Sequence, residues 1–205
     1  MHPASVPCQG GAVKRKEKAA ETEAALKEAA KRLFADRGYL NTKITDVTTE
    51  AGRAAGSFYN HFASKEELLE ALLADVSAES DKITTRTGHK GDFSDPDAIR
   101  WHVRAFLDLY RKNAPTMRAL RQAALVSDTF ADTLARFGAD EAADVLDHLR
   151  GLALPADPRT TFTMMSALVD NFVQQWPAVL PGLSEEDVVE ALTRFLYRGF
   201  TGKDY

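Results

Sequence analysis

The chain has 205 residues, 44% of them apolar and 27% charged, and a formal net charge of −4. That balance is expected of a soluble globular protein with room for one large domain or two small ones. It excludes a membrane-spanning chain, since no apolar run reaches the ~18 residues that a span needs. No apolar h-region marks a secretory signal near the start. The only cysteine, Cys8, leaves no intramolecular disulfide and no cysteine-based zinc site to build. A reducing, cytoplasmic location is expected.

Charge is unevenly divided. Residues 1–60 hold 10 Lys+Arg and 7 Asp+Glu, giving +3, and the remainder carries −7. A basic head on an acidic body is the polarity of a DNA-binding module carried by another domain. Residues 1–18 are rich in Gly, Pro and Ser and then in Lys and Arg, the composition of a disordered tail. Lys14, Arg15, Lys16 and Lys18 either stay solvated or reach phosphates as a basic arm does. Thr22 then caps a helix running to about Arg37. Its stripe is Leu26, Ala29, Ala30, Leu33 and Phe34, and Gly38 ends it.

The stretch 42–62 reads as two short helices around a tight turn. Ile44, Val47 and Ala51 share one face, Thr42 is placed to cap the first helix, and Gly52 sits where the chain must turn. After the turn Phe58 and Phe62 reach back to a core, leaving Ala55, Ser57, Tyr59, Asn60 and His61 on the outer faces. Ser and Tyr donate to phosphate oxygens, and Asn can pair with an adenine edge. A helix-turn-helix lays such a second helix in the major groove.

The run Ala51-Gly52-x-x-x-Gly56-Ser57-Phe58-Tyr59-Asn60-His61-Phe62, followed by Ser64-Lys65-Glu66-Glu67-Leu68-Leu69, resembles the signature of the TetR family of bacterial transcription regulators. The upstream run 33–39 and Thr42–Val47 fit the same pattern. The resemblance covers about a quarter of the chain. It implies phosphate contacts by Thr42, Ser57, Tyr59, His61 and Lys65, and positions nearest the bases for Arg53, Ala55 and Asn60; Tyr59 and His61 could equally be partly structural. Three positions depart from the pattern. Arg53 replaces a small apolar residue, Ala54 a capping hydroxyl, and Thr48 an alanine. Arg53 could contact guanine or phosphate.

Ser64-x-x-Glu67 is a capping box that opens a connector helix with Leu68, Leu69, Leu72, Leu73 and Val76 inward. The helix start is also a natural phosphate site, to which Lys65 adds charge. A loop is expected over residues 84–96. Five helical patterns follow: Ala98–Lys112, Pro115–Gln122, Asp128–Leu152, Arg159–Trp176 capped by Asp157-Pro158, and Glu185–Phe200 capped by Ser184. No stretch alternates with period two. The expected fold is all-α, about nine helices. It divides into a disordered tail over 1–18, a helix-turn-helix domain over 19–63, and a connector with a ligand-binding and dimerisation body over 64–205.

The body carries no catalytic constellation and no phosphate-binding loop, so no enzyme and no cofactor are expected. Its histidines, His89, His102 and His148, are scattered without metal-ligand spacing, and no metal is expected. Trp101, Phe106, Tyr110, Met117, Met164, Met165, Phe172 and Trp176, with Gln174 or Gln175 as polar anchors, either line a pocket or form packed core. The last two helices have broad apolar faces with Phe162, Val169, Val173, Val189, Leu192 and Leu196. These either close the core or make a four-helix dimer interface. Taken with the resemblance, the chain is expected to be a homodimeric repressor, released from a near-palindromic DNA operator by a small, largely apolar ligand. The alternatives are a helix-turn-helix regulator with a filled body, or a helical interaction protein without DNA binding.

Overall fold

A computed structural model describes residues 10–84 and 89–205, with backbone alone at 10–12, 84 and 138–144. All regular structure among the described residues is helical, as expected. The helices are α1 (Gly10–Arg37), α2 (Ile44–Glu50), α3 (Ala55–Phe58), α4 (Lys65–Thr84), α5 (Pro96–Ala124), α6 (Asp128–His148), α7 (Pro158–Val179) and α8 (Glu185–Thr201). No helix among the described residues is long and apolar enough to cross a membrane. The chain divides into two compact units. One joins Met1–Asp75 with Ala114–Ser127, and the other joins Val76–Asn113 with Asp128–Tyr205.

In the first unit the α1 stripe behaves as its spacing predicts: Leu26, Ala29 and Ala30 are fully buried, as are Leu33 and Phe34 nearly so. Two expectations about this helix change. Residues 10–18, read as tail, form its first turns; residues 1–9 lie outside the described range. Thr22 is therefore no cap. Its hydroxyl donates to the Lys18 carbonyl one turn back, at 2.9 Å, which satisfies it inside the helix. Gly38 follows α1 with φ +81° and Gly52 follows α2 with φ +63°, the left-handed backbone that ends a helix without Cβ strain.

Residues 98–122, expected as two helices, form one continuous α5 with Pro115 inside it. Proline supplies no N–H, so the Arg111 carbonyl loses its partner four residues on. The boundary between the two units falls at Asn113–Ala114, beside this proline. The proline thus marks a change of neighbours without ending the helix.

The second unit has a core of Phe93, Ile99, Val103, Leu107, Leu149, Val169 and Val173 with Val188, Val189, Leu192, Leu196 and Phe200. Asp157 caps α7, accepting from the Arg159 and Thr160 N–H groups at 3.1 Å. Ser184 Oγ accepts from Asp187 N at 3.2 Å, and Asp187 accepts in return from Ser184 N at 3.3 Å. Gly202 closes α8 at φ +67°. Arginines on α5 meet the acidic start of α8: Arg104 with Glu186 and Arg111 with Glu185 at 2.7 Å, and Arg100 with Glu190 at 3.1 Å.

Candidate nucleic-acid interface

The reading hairpin is built on two buried rings. Phe58 is fully buried and Phe62 is 4% exposed, their centroids 5.6 Å apart. Val47 is buried on α2. Anchoring these apolar groups fixes which faces remain outside. Ala55, Tyr59 and Asn60 are exposed, and Ser57 and His61 are half-buried. Tyr59 is 62% exposed although its ring meets Phe58 edge-on at 5.6 Å, so its hydroxyl end is accessible. These five residues lie together on the outer surface of α3 and the turns that continue it.

Three expected contacts are placed differently. Thr42 is 1% exposed, and its hydroxyl donates to the Gly38 carbonyl at 2.8 Å. Its hydroxyl is thus engaged within the turn. Thr42 does not cap α2. The cap is Lys43, whose backbone N–H is accepted by Asp46 at 2.9 Å. Lys65 donates from Nζ to the Tyr39 and Thr42 carbonyls, both at 2.9 Å, and lies 4.0 Å from the centre of the Tyr39 ring. Two of its three donors are therefore committed to the turn. Burial pulls its pKa below the ordinary lysine value. Arg53 donates from Nη2 to Glu21 of α1 at 3.1 Å, while its Nε is buried with no hydrogen-bond partner among the described residues.

The turn ahead of α2 is clamped from two sides. Tyr39 Oη donates to Glu66 at 2.9 Å, and burial together with this carboxylate raises the phenol's pKa well above its usual value. From the other side Gln122 Oε1 accepts the Tyr39 N–H at 2.7 Å. At the start of α4, Ser64 Oγ accepts from Glu67 N at 3.2 Å, and Glu67 reaches back to the Ala63 N–H. The two nonstandard small positions are also accounted for. Thr48 is buried and donates to the Thr45 carbonyl at 3.1 Å. Ala54 stands at the start of α3 with no side-chain cap.

Sequence reasoning passed over Lys43. It is an exposed cation at the start of α2, on the stretch that leads into the hairpin. The signal was its position next to Thr42, hidden by assigning the cap one residue early. Reasoning also passed over the three body histidines, which the second unit brings together.

The body residues expected to line a pocket do not act alike. Phe106, Tyr110, Met165, Phe172 and Trp176 pack against the core of the second unit. Trp176 Nε1 donates to the Leu183 carbonyl at 3.0 Å, which ties down α7's end. Met164 is 51% exposed and Gln175 is exposed, so both face outward. Gln174 donates to Asp170 within its own helix. Met117 belongs to the first unit, and Trp101 is half-buried beside His89. Of the expected dimer residues, Val169, Val173, Val189, Leu192 and Leu196 are buried in the unit's own core and Phe162 packs against it. The apolar groups that α7 and α8 turn outward are Met164, Leu168, Val179 and Phe195.

A basic-headed helix-turn-helix with a clamped, outward-facing second helix defines a DNA-binding protein. Residues 26–72 match the family model described as bacterial regulatory proteins, tetR family. Over 176 residues the chain is 27% identical to the HTH-type transcriptional regulator TtgR of Pseudomonas putida, covering 78% of this chain and 82% of that one. It is 48% identical over 48 residues to the HTH-type transcriptional repressor KstR2 of Mycobacterium tuberculosis, 23% of this chain and 24% of that one. Two solved structures share the fold. The fatty acid degradation regulator FadR from Bacillus halodurans has a TM-score of 0.70 at 17% identity, over 87% of this chain and 95% of that one. A TetR-like transcriptional regulator from Rhodococcus sp. RHA1 has a TM-score of 0.68 at 16% identity, over 87% and 94%. The match to the tetR family model is confined to the head at residues 26–72, and the relatives are transcription regulators; a DNA-binding transcription regulator is the role these likenesses support.

Proposed function

We propose that the chain is a repressor that binds a near-palindromic operator as a twofold dimer and leaves it when unit two binds an effector. The observation that carries this reading is the clamped hairpin. Tyr59, Asn60, Ser57, Ala55 and His61 stand outward on a surface whose inner side is fixed by Phe58 and Phe62. Ser57, Tyr59, His61 and Lys43 take phosphates, with Lys65 supplying one donor, while Asn60, Ala55 and Arg53 lie nearest base edges. In this reading the working boundary between DNA-binding domain and body lies near the start of α4.

Both α4 and α5 continue from the clamp around Tyr39 into the second unit. An effector that favours one arrangement of these helices changes the spacing between two reading heads; one with equal affinity for both arrangements shifts nothing. Dimerisation uses the outward groups Met164, Leu168 and Phe195 of α7 and α8, since the residues first expected there are consumed by the core. Near-palindromy of the operator follows from the twofold axis.

One observation favours a second reading, a regulator that senses no apolar small molecule. Phe106, Tyr110, Met165, Phe172 and Trp176, expected to line a cavity, pack against the core. Sedimentation equilibrium of the protein, alone and on a selected duplex, tests the proposal. A dimer that binds one duplex and is displaced by compounds from a small-molecule panel supports it. A monomer on DNA contradicts the twofold operator, and a dimer displaced by nothing in the panel supports the second reading.

A further inference from the structure

Three of the five histidines, separated by 13 and 46 residues in sequence, converge in the second unit. His89 stands ahead of α5, His102 lies on α5 and His148 ends α6. Their ring centroids are 5.1 Å apart for His89–His102, 5.1 Å for His89–His148 and 5.0 Å for His102–His148. One ligand nitrogen from each lies within 4.8 Å of the other two. Tetrahedral zinc at about 2.0–2.1 Å from each nitrogen requires nitrogens about 3.4 Å apart. Metal binding therefore requires rotation of the half-buried rings toward one another.

Three details suit a ligand set better than a packing accident. His102 Nδ1 lies 2.9 Å from the Ala98 carbonyl, which can only accept, so the proton sits on Nδ1 and Nε2 carries the lone pair. A backbone carbonyl behind one ring nitrogen is the usual support of a metal-bound histidine. His89 Nε2 is buried with no hydrogen-bond partner among the described residues, and a buried polar atom left unsatisfied is destabilising. The surroundings are aromatic: Trp101 meets His89 at 5.1 Å, and Phe93 meets His102 at 4.9 Å and His148 at 5.3 Å. The chain also passes close over His148 at Gly91, where a Cβ would fall 2.8 Å from the ring.

We propose that His89, His102 and His148 form a site for one divalent transition-metal ion of the zinc class. Three imidazoles, with no carboxylate among the described residues of the cluster, select a borderline metal over calcium or magnesium, which take oxygen ligands. Three protein ligands leave a fourth position for water or a small anion. The ion ties the segment before α5 to α5 and to the end of α6. The inference is independent of the operator and of any organic effector.

The test uses the untagged full chain carrying C8S and H2N, which removes the chain's single thiol and the imidazole near its start. After chelation the protein is titrated with Co2+ and then Zn2+, with visible absorption and imidazole NMR as readouts. The expected result is one Co2+ per chain with the intense visible bands of tetrahedral cobalt, displaced by Zn2+. Three of the four remaining imidazoles shift and His61 does not, a readout that needs no further variant. H102N and H148N each weaken binding at least a hundredfold while circular dichroism stays helical. Failure of Zn2+ and Co2+ to bind at millimolar concentration overturns the proposal. So does binding that shifts His61 or survives both substitutions unchanged.

Discussion

Gln122 Oε1, in the last turn of α5, accepts the Tyr39 backbone N–H at 2.7 Å, and the same amide lies 2.9 Å from where a Cβ on Gly38 would fall. One side chain thus satisfies the first residue after the left-handed turn and fills the space the glycine leaves. Gln122→Ala orphans that N–H and is expected to cost about 1–3 kcal/mol. Gln122→Glu keeps an acceptor and should cost less. Urea unfolding of the two variants checks the order. Equal loss from both would show that side-chain packing, not the hydrogen bond, matters.

Much of this arrangement was legible in the sequence. Leu26, Ala29, Ala30, Leu33 and Phe34 were readable as a stripe because burial on a helix imposes its period. Asp157 and Ser184 were readable as caps because a cap needs only local groups. Thr22 misled because the residues before it carry as much helix propensity as those after, and a hydroxyl inside a helix can bond its own i−4 carbonyl. Val169, Val173, Leu192 and Leu196 were readable as apolar faces, but periodicity does not say whether a face meets its own chain or another. The histidine cluster was invisible because its members come from separate elements, and only tertiary packing brings them together.

Arg53 is held by Glu21, whose side chain is 73% exposed, so the pair is worth roughly 0–1 kcal/mol and can open cheaply. Glu21→Ala is expected to leave stability within about 1 kcal/mol of wild type and to raise DNA affinity by freeing the guanidinium. Arg53→Ala should weaken DNA binding by about 1–3 kcal/mol. Titrations at several salt concentrations separate its roles. A loss equal for all operator variants, with a shallower salt slope, means phosphate contact. A loss confined to one base position means base reading.

Ala54 begins α3 without a capping side chain. Ala54→Thr restores a hydroxyl that can accept from the second or third N–H of the helix, worth on the order of 1 kcal/mol. Urea unfolding should show a higher midpoint. An unchanged or lower midpoint would mean the first turn of α3 already satisfies its donors.

Phe195 is 59% exposed on α8, whereas Leu192, one turn earlier, is 4% exposed. Phe195→Asp should abolish a dimer while leaving each chain helical and cooperative in unfolding. Leu192→Asp should unfold the second unit instead, because it buries a charge. Sedimentation with circular dichroism distinguishes the two. A Phe195→Asp variant that remains dimeric would remove this face from the interface.

Sequence-specific DNA reading by the hairpin is tested most directly by affinity selection of genomic fragments at physiological salt, using the wild-type protein and Tyr59→Ala/Asn60→Ala side by side. The account predicts one enriched near-palindromic sequence for the wild type, its enrichment lost in the double variant while the variant stays folded. Equal enrichment of the same sequence by both proteins would contradict the assignment of Tyr59 and Asn60 to the DNA-reading surface.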